Sequence, residues 1–359
     1  MYLDTPRLEL YIDRFEHNAA TVIGLCRRHG VEVTGVTKVT GAHPALLRSL
    51  DRAGASMVAD SRVDNLRQLA AAGVDLPTML LRPPTPSEVA DVVRWADYSL
   101  NSSLATMEAL SQAAQTLRRR HRVVNMVDAG DLREGIWPDR VIPVIRKVAR
   151  LSRIEVAGLG TNLACLSGVV PTTAHMRLLV DLRDECRAVT GLPLDLLSGG
   201  NSANLPMLTA SGMPAEINNL RIGETIALGR NPLDRTPWPG TRQDTVRLVA
   251  EVVEVERKPS APTGEFAQDA FGALPEEVDR GVRSRAICNV GRQDVRVEDL
   301  LPEDPGIVVV GASSDHLVLD VEDAARDVQA GAEIGFHTGY ASLLSATTSP
   351  YVRKVVIRG

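Results

Sequence analysis

The sequence predicts an α/β chain in two parts, a (β/α)8 barrel followed by an all-β domain, and three observations carry that expectation. Eight short β-branched runs recur between residues 31 and 223, each followed by a break and most by a helical pattern, which is the order of elements an eight-stranded barrel requires. After residue 235 the helical patterns nearly vanish and alternating strands take over. Aromatic residues are only 3% of the chain against 44% hydrophobic residues overall, so the core must be filled mainly by Ala, Val, Leu and Ile, as barrel layers are.

In chain order, LELYID (8–13) is strand-like and could join either part. The eight runs are VEVTGVTK (31–38), ASMVAD (55–60), PTMLLR (77–82), ADYSLN (96–101), RVVNMVD (122–128), RIEVAGLG (153–160), LDLLSGG (194–200) and EINNLRIG (216–223). Between them lie helical stretches with apolar residues three and four apart: 44–54, 62–73, 86–96, 103–120, 138–152 and 172–191. Several end in Gly, as a helix C-cap does. TVRLVAEVVEVERK, VRSRAICNVG, GIVVVG, HLVLDVED, AEIGFHTG and YVRKVVIRG then read as the strands of the second part. The barrel is therefore expected over residues 1–235 and the β domain over 236–359. The Pro-, Gly- and acid-rich stretch 258–281 reads as a long loop, functional if it covers a site.

Composition excludes several classes. Forty Lys plus Arg against forty-five Asp plus Glu give a formal charge of −5, and no basic block exceeds Arg118–Arg122, which argues against nucleic-acid and anionic-membrane partners. No apolar stretch is long enough for a membrane span and the N-terminus is charged where a signal peptide is apolar, so a cytoplasmic protein is expected. Cys26, Cys165, Cys186 and Cys288 form no CxxC, and the seven histidines form neither HxxxH nor HExxH. Neither a disulfide framework nor a metal site is expected.

Barrels of this class carry their chemistry at the carboxyl ends of the strands. There stand Lys38, Asp60, Arg82, Asn101, Asp128, Thr161 with Asn162, Ser198-Gly199-Gly200-Asn201-Ser202 and Arg221-Ile222-Gly223-Glu224, nearly all polar. Lys38 follows the apolar VEVTGVT; it either snorkels outward or is desolvated enough to attack a carbonyl and form a Schiff base. SGGNS and RIGET follow the seventh and eighth strands, the usual phosphate position, where glycines let backbone N–H groups approach an anion. Ser202 adds a hydroxyl and could cap a helix beginning near Ala203. Alone these loops also read as ordinary glycine turns. With Lys38 they point to a phosphorylated aldehyde cofactor, pyridoxal phosphate. Arg221 would face the pyridine nitrogen, and because arginine stays protonated it hydrogen-bonds to that nitrogen without protonating it. Such a ring is a weak electron sink, which suits racemisation. The alternative is a rim salt bridge from Arg221 to Glu224 or Asp128. Arg133, in DAGDLREGIWP, is either a solvated loop residue or a ligand for a substrate carboxylate or the cofactor's 3-oxygen.

These segments, together with GLGTNLACLSGVVPT, KPSAPTGEF, GRQDV, GASSDHLVLD and YASLLSATTSPYVRK, resemble the pyridoxal-phosphate amino-acid racemases of the alanine racemase fold (fold type III), in particular the ornithine racemase branch. The resemblance covers nearly the whole chain. It implies that Lys38 is the Schiff-base lysine and one catalytic base, and that Arg221 lies on the pyridine nitrogen. Ser202, Gly223 and Tyr351 match phosphate contacts, within cofactor loops that include Ser198, Gly200, Asn201 and Glu224. Arg133 matches the arginine supporting the cofactor oxygen and the substrate carboxylate, and Asn162 a ring-supporting residue. Ser314 and Asp315 match the segment that reaches the substrate from a partner subunit, so a head-to-tail homodimer with shared active sites is implied. Two departures stand out. The family's catalytic tyrosine falls on Arg292, a substrate-contact candidate, leaving His316, preferred for its near-neutral titration, and Tyr340 as candidates for the second base. A phosphate-binding tyrosine after Lys38 is replaced by Ala42-His43, so His43 could supply that contact.

The expected activity is racemisation of a free, basic amino acid such as ornithine or lysine, through an external aldimine and two-base α-proton transfer. Asp131, Glu134 or Asp315 could take the substrate's side-chain ammonium. The alternatives are a lyase or decarboxylase on the same fold, against which Arg221 argues, and a cofactor-binding regulator without turnover, against which the second domain argues.

Overall fold

The computed structural model describes residues 4–274 and 279–358. They form two units, Ile12–Gln243 and the paired segments Met1–Tyr11 and Asp244–Gly359. β1 (Arg7–Tyr11) thus belongs to the second unit, although α1 (Ile12–Arg28) follows it without a break. α1 was not expected from sequence, yet its buried Phe15, Ala19, Val22, Ile23 and Cys26 fall on one helical face.

The first unit is a closed barrel of eight parallel strands: β2 (Glu32–Val36), β3 (Met57–Asp60), β4 (Thr78–Leu80), β5 (Tyr98–Asn101), β6 (His121–Val127), β7 (Ile154–Thr161), β8 (Leu196–Ser198) and β9 (Asn219–Ile222). β2 pairs with β9 to close the ring, Thr34 lying beside Arg221. Each of the eight runs overlaps one of these strands, with β6 starting one residue before its run and β7 ending one residue after. The helices between them are α2 (Pro44–Arg52), α3 (Val63–Ala71), α4 (Val89–Trp95), α5 (Leu104–Thr116), α6 (Pro138–Val148), α7 (Thr173–Thr190), α8 (Leu205–Thr209) and α9 (Glu224–Leu228). Their ends follow the sequence. Pro44 and Pro138 open α2 and α6, where the missing N–H costs nothing. Thr172 and His175 form a capping box on α7, and Gly191 closes it in the left-handed conformation.

Val36, Met57, Ala59, Met79, Leu100, Val124 and Met126 form a buried cluster. Three of the seven are methionines, so this part of the core relies less on branched aliphatics than expected and more on flexible thioether chains that fill irregular space. Beside β8 and β9 the buried set is polar instead: Thr34, Ser198, Asn219 and Arg221.

The second unit is a sheet of eight strands: β1, β10 (Val246–Pro259), β11 (Val282–Cys288), β12 (Leu300–Pro302), β13 (Val308–Ala312), β14 (Leu317–Asp320), β15 (Glu333–Thr338) and β16 (Arg353–Ile357). All its pairings are antiparallel except β1 with β16. Arg7 reaches from β1 over β10 to grip both oxygens of Glu333 on β15, at 2.7 and 2.8 Å. One helix, α10 (Tyr340–Thr348), interrupts the otherwise β character of this unit. Asp299 holds its start by accepting from the N–H groups of Ala341 and Ser342. Of the loop between β10 and β11, residues 275–278 lie outside the described residues.

Candidate active site

β2 ends at Val36, and Lys38 stands just beyond it in a single 3-10 turn, Lys38–Thr40, instead of on the strand itself. Thr37 anchors that turn: its N–H and hydroxyl both reach Ala59 O, and the hydroxyl also reaches Asp60 Oδ2 at 2.8 Å. Asp60, wholly buried, accepts in addition from Asn65 and from the Arg62 N–H. Burial pushes its carboxyl up, against these hydrogen bonds. Lys38 is half-buried, and its side chain makes no hydrogen bond or ion pair among the described residues. Its amine is therefore available at the barrel mouth.

Arg221 on β9 is buried, 4% exposed. It donates from Nη1 to Ser198 Oγ and from Nη2 to Thr161 O at 2.7 Å and Asn162 Oδ1 at 3.4 Å. Every one of these acceptors is neutral. Glu224 is paired with Arg235 instead, and Asp128 turns back to the N–H groups of Gly130 and Leu132. The rim salt bridge considered for Arg221 is thus not formed. Burial, with a smaller like-charge effect from Arg133 and opposed by Glu134, lowers its pKa to about 10, so the cation persists at neutral pH. The acceptors are themselves held: Ser198 donates to Asn219 Oδ1, Asn219 donates to Thr34 Oγ1 at 2.9 Å, and Thr161 donates to Val127 O. Sequence reading missed Thr34 and Asn219, although Asn219 sits two residues before Arg221 and strand alternation puts both on one face.

The SGGNS loop leads into a 3-10 turn, Ser202–Asn204, capped by Asn201 and not by Ser202. Asn201 Oδ1 accepts from Ala203 N, while its Nδ2 donates to Leu163 O and Asn162 Oδ1. Its own N–H goes to Asn204 Oδ1. Asn201 therefore builds the loop and ties it to Asn162. Gly200, at φ 141°, lies where a Cβ would come 2.3 Å from Asn204 Oδ1. Ser202 Oγ accepts from the Thr225 N–H at 3.3 Å, joining the loops after β8 and β9. Gly223 precedes α9 on the same side, and burial raises the Glu224 carboxyl against the pull of Arg235 and Lys38.

Arg133 donates to Cys165 Sγ at 2.8 Å and is ion-paired with Glu134. Asp131, a candidate for the substrate ammonium, is misread: it is 1% exposed and accepts the N–H groups of Cys165, Leu166 and Ser167. It fastens the loop after β7 to the loop after β6. His43 is likewise taken, its Nδ1 accepting from Ala45 N to cap α2. Arg82 pairs with Glu88, and Asn101 donates to Ser99.

The remaining candidates lie in the second unit. Ser314, Asp315 and His316 form the exposed tip of the β13–β14 hairpin, with Asp315 Oδ1 at 3.4 Å from His316 Nδ1. Arg292 is beside them, its N–H bonded to Ser313 O and its guanidinium to Ala312 O and Glu298, under the ring of Phe271. Gly291 permits that approach, since a Cβ there would lie 2.4 Å from Asp315 N. Tyr340 is the first residue of α10, and Tyr351 is 67% exposed before β16.

Residues 10–230 match the family model described as "Alanine racemase, N-terminal domain". The chain is 38% identical over 350 residues to the lysine racemase of Thermotoga maritima, covering 98% of both chains. It is 39% identical over 355 residues to the ornithine racemase of Acetoanaerobium sticklandii, covering 98% of this chain and 99% of that one. In fold it is similar to an alanine racemase from Streptomyces lavendulae, with TM-score 0.72 at 18% identity, covering 100% of this chain and 98% of that one. A D-threonine aldolase from Filomicrobium marinum is similar to the same degree, with TM-score 0.76 at 18% identity, covering 99% and 91%.

Proposed function

The chain belongs to the alanine racemase family, and on that premise we propose that it is a pyridoxal-phosphate-dependent racemase of free basic amino acids, ornithine or lysine. The observation that carries the reading is Arg221, a buried cation whose protein partners are all neutral. A buried charge is costly without compensation, and an electron-rich ring nitrogen fits that need while accepting a hydrogen bond and no proton. The donor set agrees with the rest of the cofactor: a half-buried amine without a partner at Lys38, and a hydroxyl and glycine-bearing loops at Ser202 and Gly223. Bound pyridoxal phosphate supplies a carbonyl carbon for the substrate amine and a conjugated ring that acidifies the α C–H bond.

The chain's own residues then divide the work. Lys38 Nζ takes and returns the α-proton on one face. Ser202 and the backbone about Gly223 hold the phosphate, while Arg133 orients the substrate carboxylate and Asn162 steadies Arg221. We assign the opposite proton to His316, with Tyr340 as the other candidate, delivered from the partner of a cytoplasmic head-to-tail homodimer. Asp315 is assigned to the substrate's side-chain ammonium, since Asp131 is consumed by backbone amides and Glu134 by Arg133. A lyase or decarboxylase is the weaker reading, because Arg221 hydrogen-bonds to the ring nitrogen without protonating it and so leaves the ring a weak electron sink.

Incubation with L-ornithine, L-lysine, L-arginine, L-alanine and L-serine in deuterated water tests this. Racemic, α-deuterated ornithine or lysine is expected, and it is lost in Lys38→Ala. Release of CO₂ or an aldehyde, or binding without exchange, overturns the reading.

A further inference from the structure

At the other end of the barrel, among the amino-terminal ends of β5 to β8, lies a cavity of about 710 Å³. That volume is within the roughly 300–1,000 Å³ of small-molecule sites. Its floor is apolar: Tyr98, Ala157 and Leu196 line it and pack on their inner side against the buried barrel cluster. Its rim carries three arginines, Arg120, Arg122 and Arg153. The two carboxylates in the lining are already engaged, Glu155 by Arg122 at 3.2 Å and Asp195 by Arg187 at 3.4 Å. Arg122 also lies over the Tyr98 ring, 5.2 Å from its centroid. Arg120 and Arg153 make no ion pair or side-chain hydrogen bond among the described residues. A chain with formal charge −5 thus concentrates uncompensated positive charge around an apolar recess, on the barrel face opposite the one at which such folds do their chemistry.

We infer that this cavity is a binding site for a small organic anion with an apolar body, the body resting on Tyr98, Ala157 and Leu196 and the charged group meeting Arg120 and Arg153. Apolar contact with the floor supplies area, and the two guanidiniums supply charge-assisted hydrogen bonds of the kind that recognise carboxylate, sulfonate or phosphate. The site is separate from Lys38 and Arg221 and does not depend on the activity assigned to them.

Anilinonaphthalene sulfonate, titrated by fluorescence into the cofactor-loaded protein, is the probe, with octanoate as competitor. The expected result is one saturable site per chain, displaced by octanoate. Binding weakens about tenfold or more in Arg120→Ala/Arg153→Ala. Ala149→Trp tests the same site without altering charge, because Ala149 is an exposed residue of the lining; its indole is expected to block the mouth and abolish binding. Unchanged circular dichroism and racemisation rate in both variants separate loss of the site from loss of the fold. Wild-type affinity in either folded variant, or displacement by a basic amino acid substrate in place of octanoate, overturns the inference.

Discussion

His121 makes the stability of the barrel dependent on pH in a window that can be worked out from its surroundings. It opens β6, is 1% exposed, and bonds through Nε2 to Ser99 Oγ at 2.7 Å. Burial pushes the imidazole from its ordinary 6.5 down to about 4. The unfolded chain therefore takes up a proton as the pH falls through about 6.5, while the folded chain waits until about 4. Between those values the unfolded state binds more protons, so stability falls as pH falls; above the window the group contributes nothing. The arithmetic gives a loss of about 2 kcal/mol at about pH 5 and about 3 kcal/mol at about pH 4, relative to neutral solution. His121→Gln removes the titration and keeps a side chain able to bond to Ser99. Urea unfolding of both proteins across this range, at one protein concentration and with saturating cofactor, gives two stability curves. Subtracting them cancels the shared titration of the carboxylates. The difference is expected to shift toward the variant by about 2 kcal/mol between about pH 7 and about pH 5. A flat difference refutes the account of a buried, neutral His121.

Three further outcomes follow from contacts in the barrel. Gly158 lies on β7 where a Cβ would come 1.7 Å from Leu196 O on β8; Gly158→Ala must push two paired strands apart, and a loss of about 3 kcal/mol or more in thermal or urea unfolding is expected. Asp131→Ala frees the three amides of Cys165, Leu166 and Ser167, so their hydrogen exchange is expected to accelerate about tenfold or more while that of β7 stays slow. Arg221→Lys keeps the charge but cannot reach Ser198, Thr161 and Asn162 together. A fall in kcat/KM of about a hundredfold is expected, with weaker cofactor retention on gel filtration.

The barrel was legible because its evidence is local. Most strands are short apolar runs bearing a β-branched residue, and the helices between carry their own punctuation, as Pro44, Pro138, Thr172 and Gly191 illustrate. What escaped was non-local. LELYID looks like a strand and β1 is one, but its partners β10 and β16 lie more than two hundred residues away, and no pattern within β1 names them. α1 was lost because its first residue continues that apolar run without a break, and α10 because the surrounding alternation masks nine residues of helix. At the site, Lys38 and Arg221 were readable from position at strand ends. Asp131 and His43 were not, because residue type says that a group can accept a hydrogen bond but not that a neighbouring backbone has already claimed it.

The same distinction explains how a buried arginine can stand at the barrel mouth without a carboxylate. Arg221 donates to Ser198, Ser198 to Asn219 and Asn219 to Thr34, while Thr161, whose carbonyl also accepts from Arg221, donates its hydroxyl to Val127 O. The chain fixes the guanidinium's orientation while leaving its charge uncompensated. A carboxylate in place of Ser198 would neutralise the charge of Arg221. The neutral ladder instead leaves that positive charge at the mouth. Lys38 answers to the same logic from across the β2–β9 seam, held by the Thr37–Asp60 contact through its backbone while its amine remains unpaired. In both cases hydrogen bonds fix the residue's position, and among the described residues no ion pair neutralises its charge.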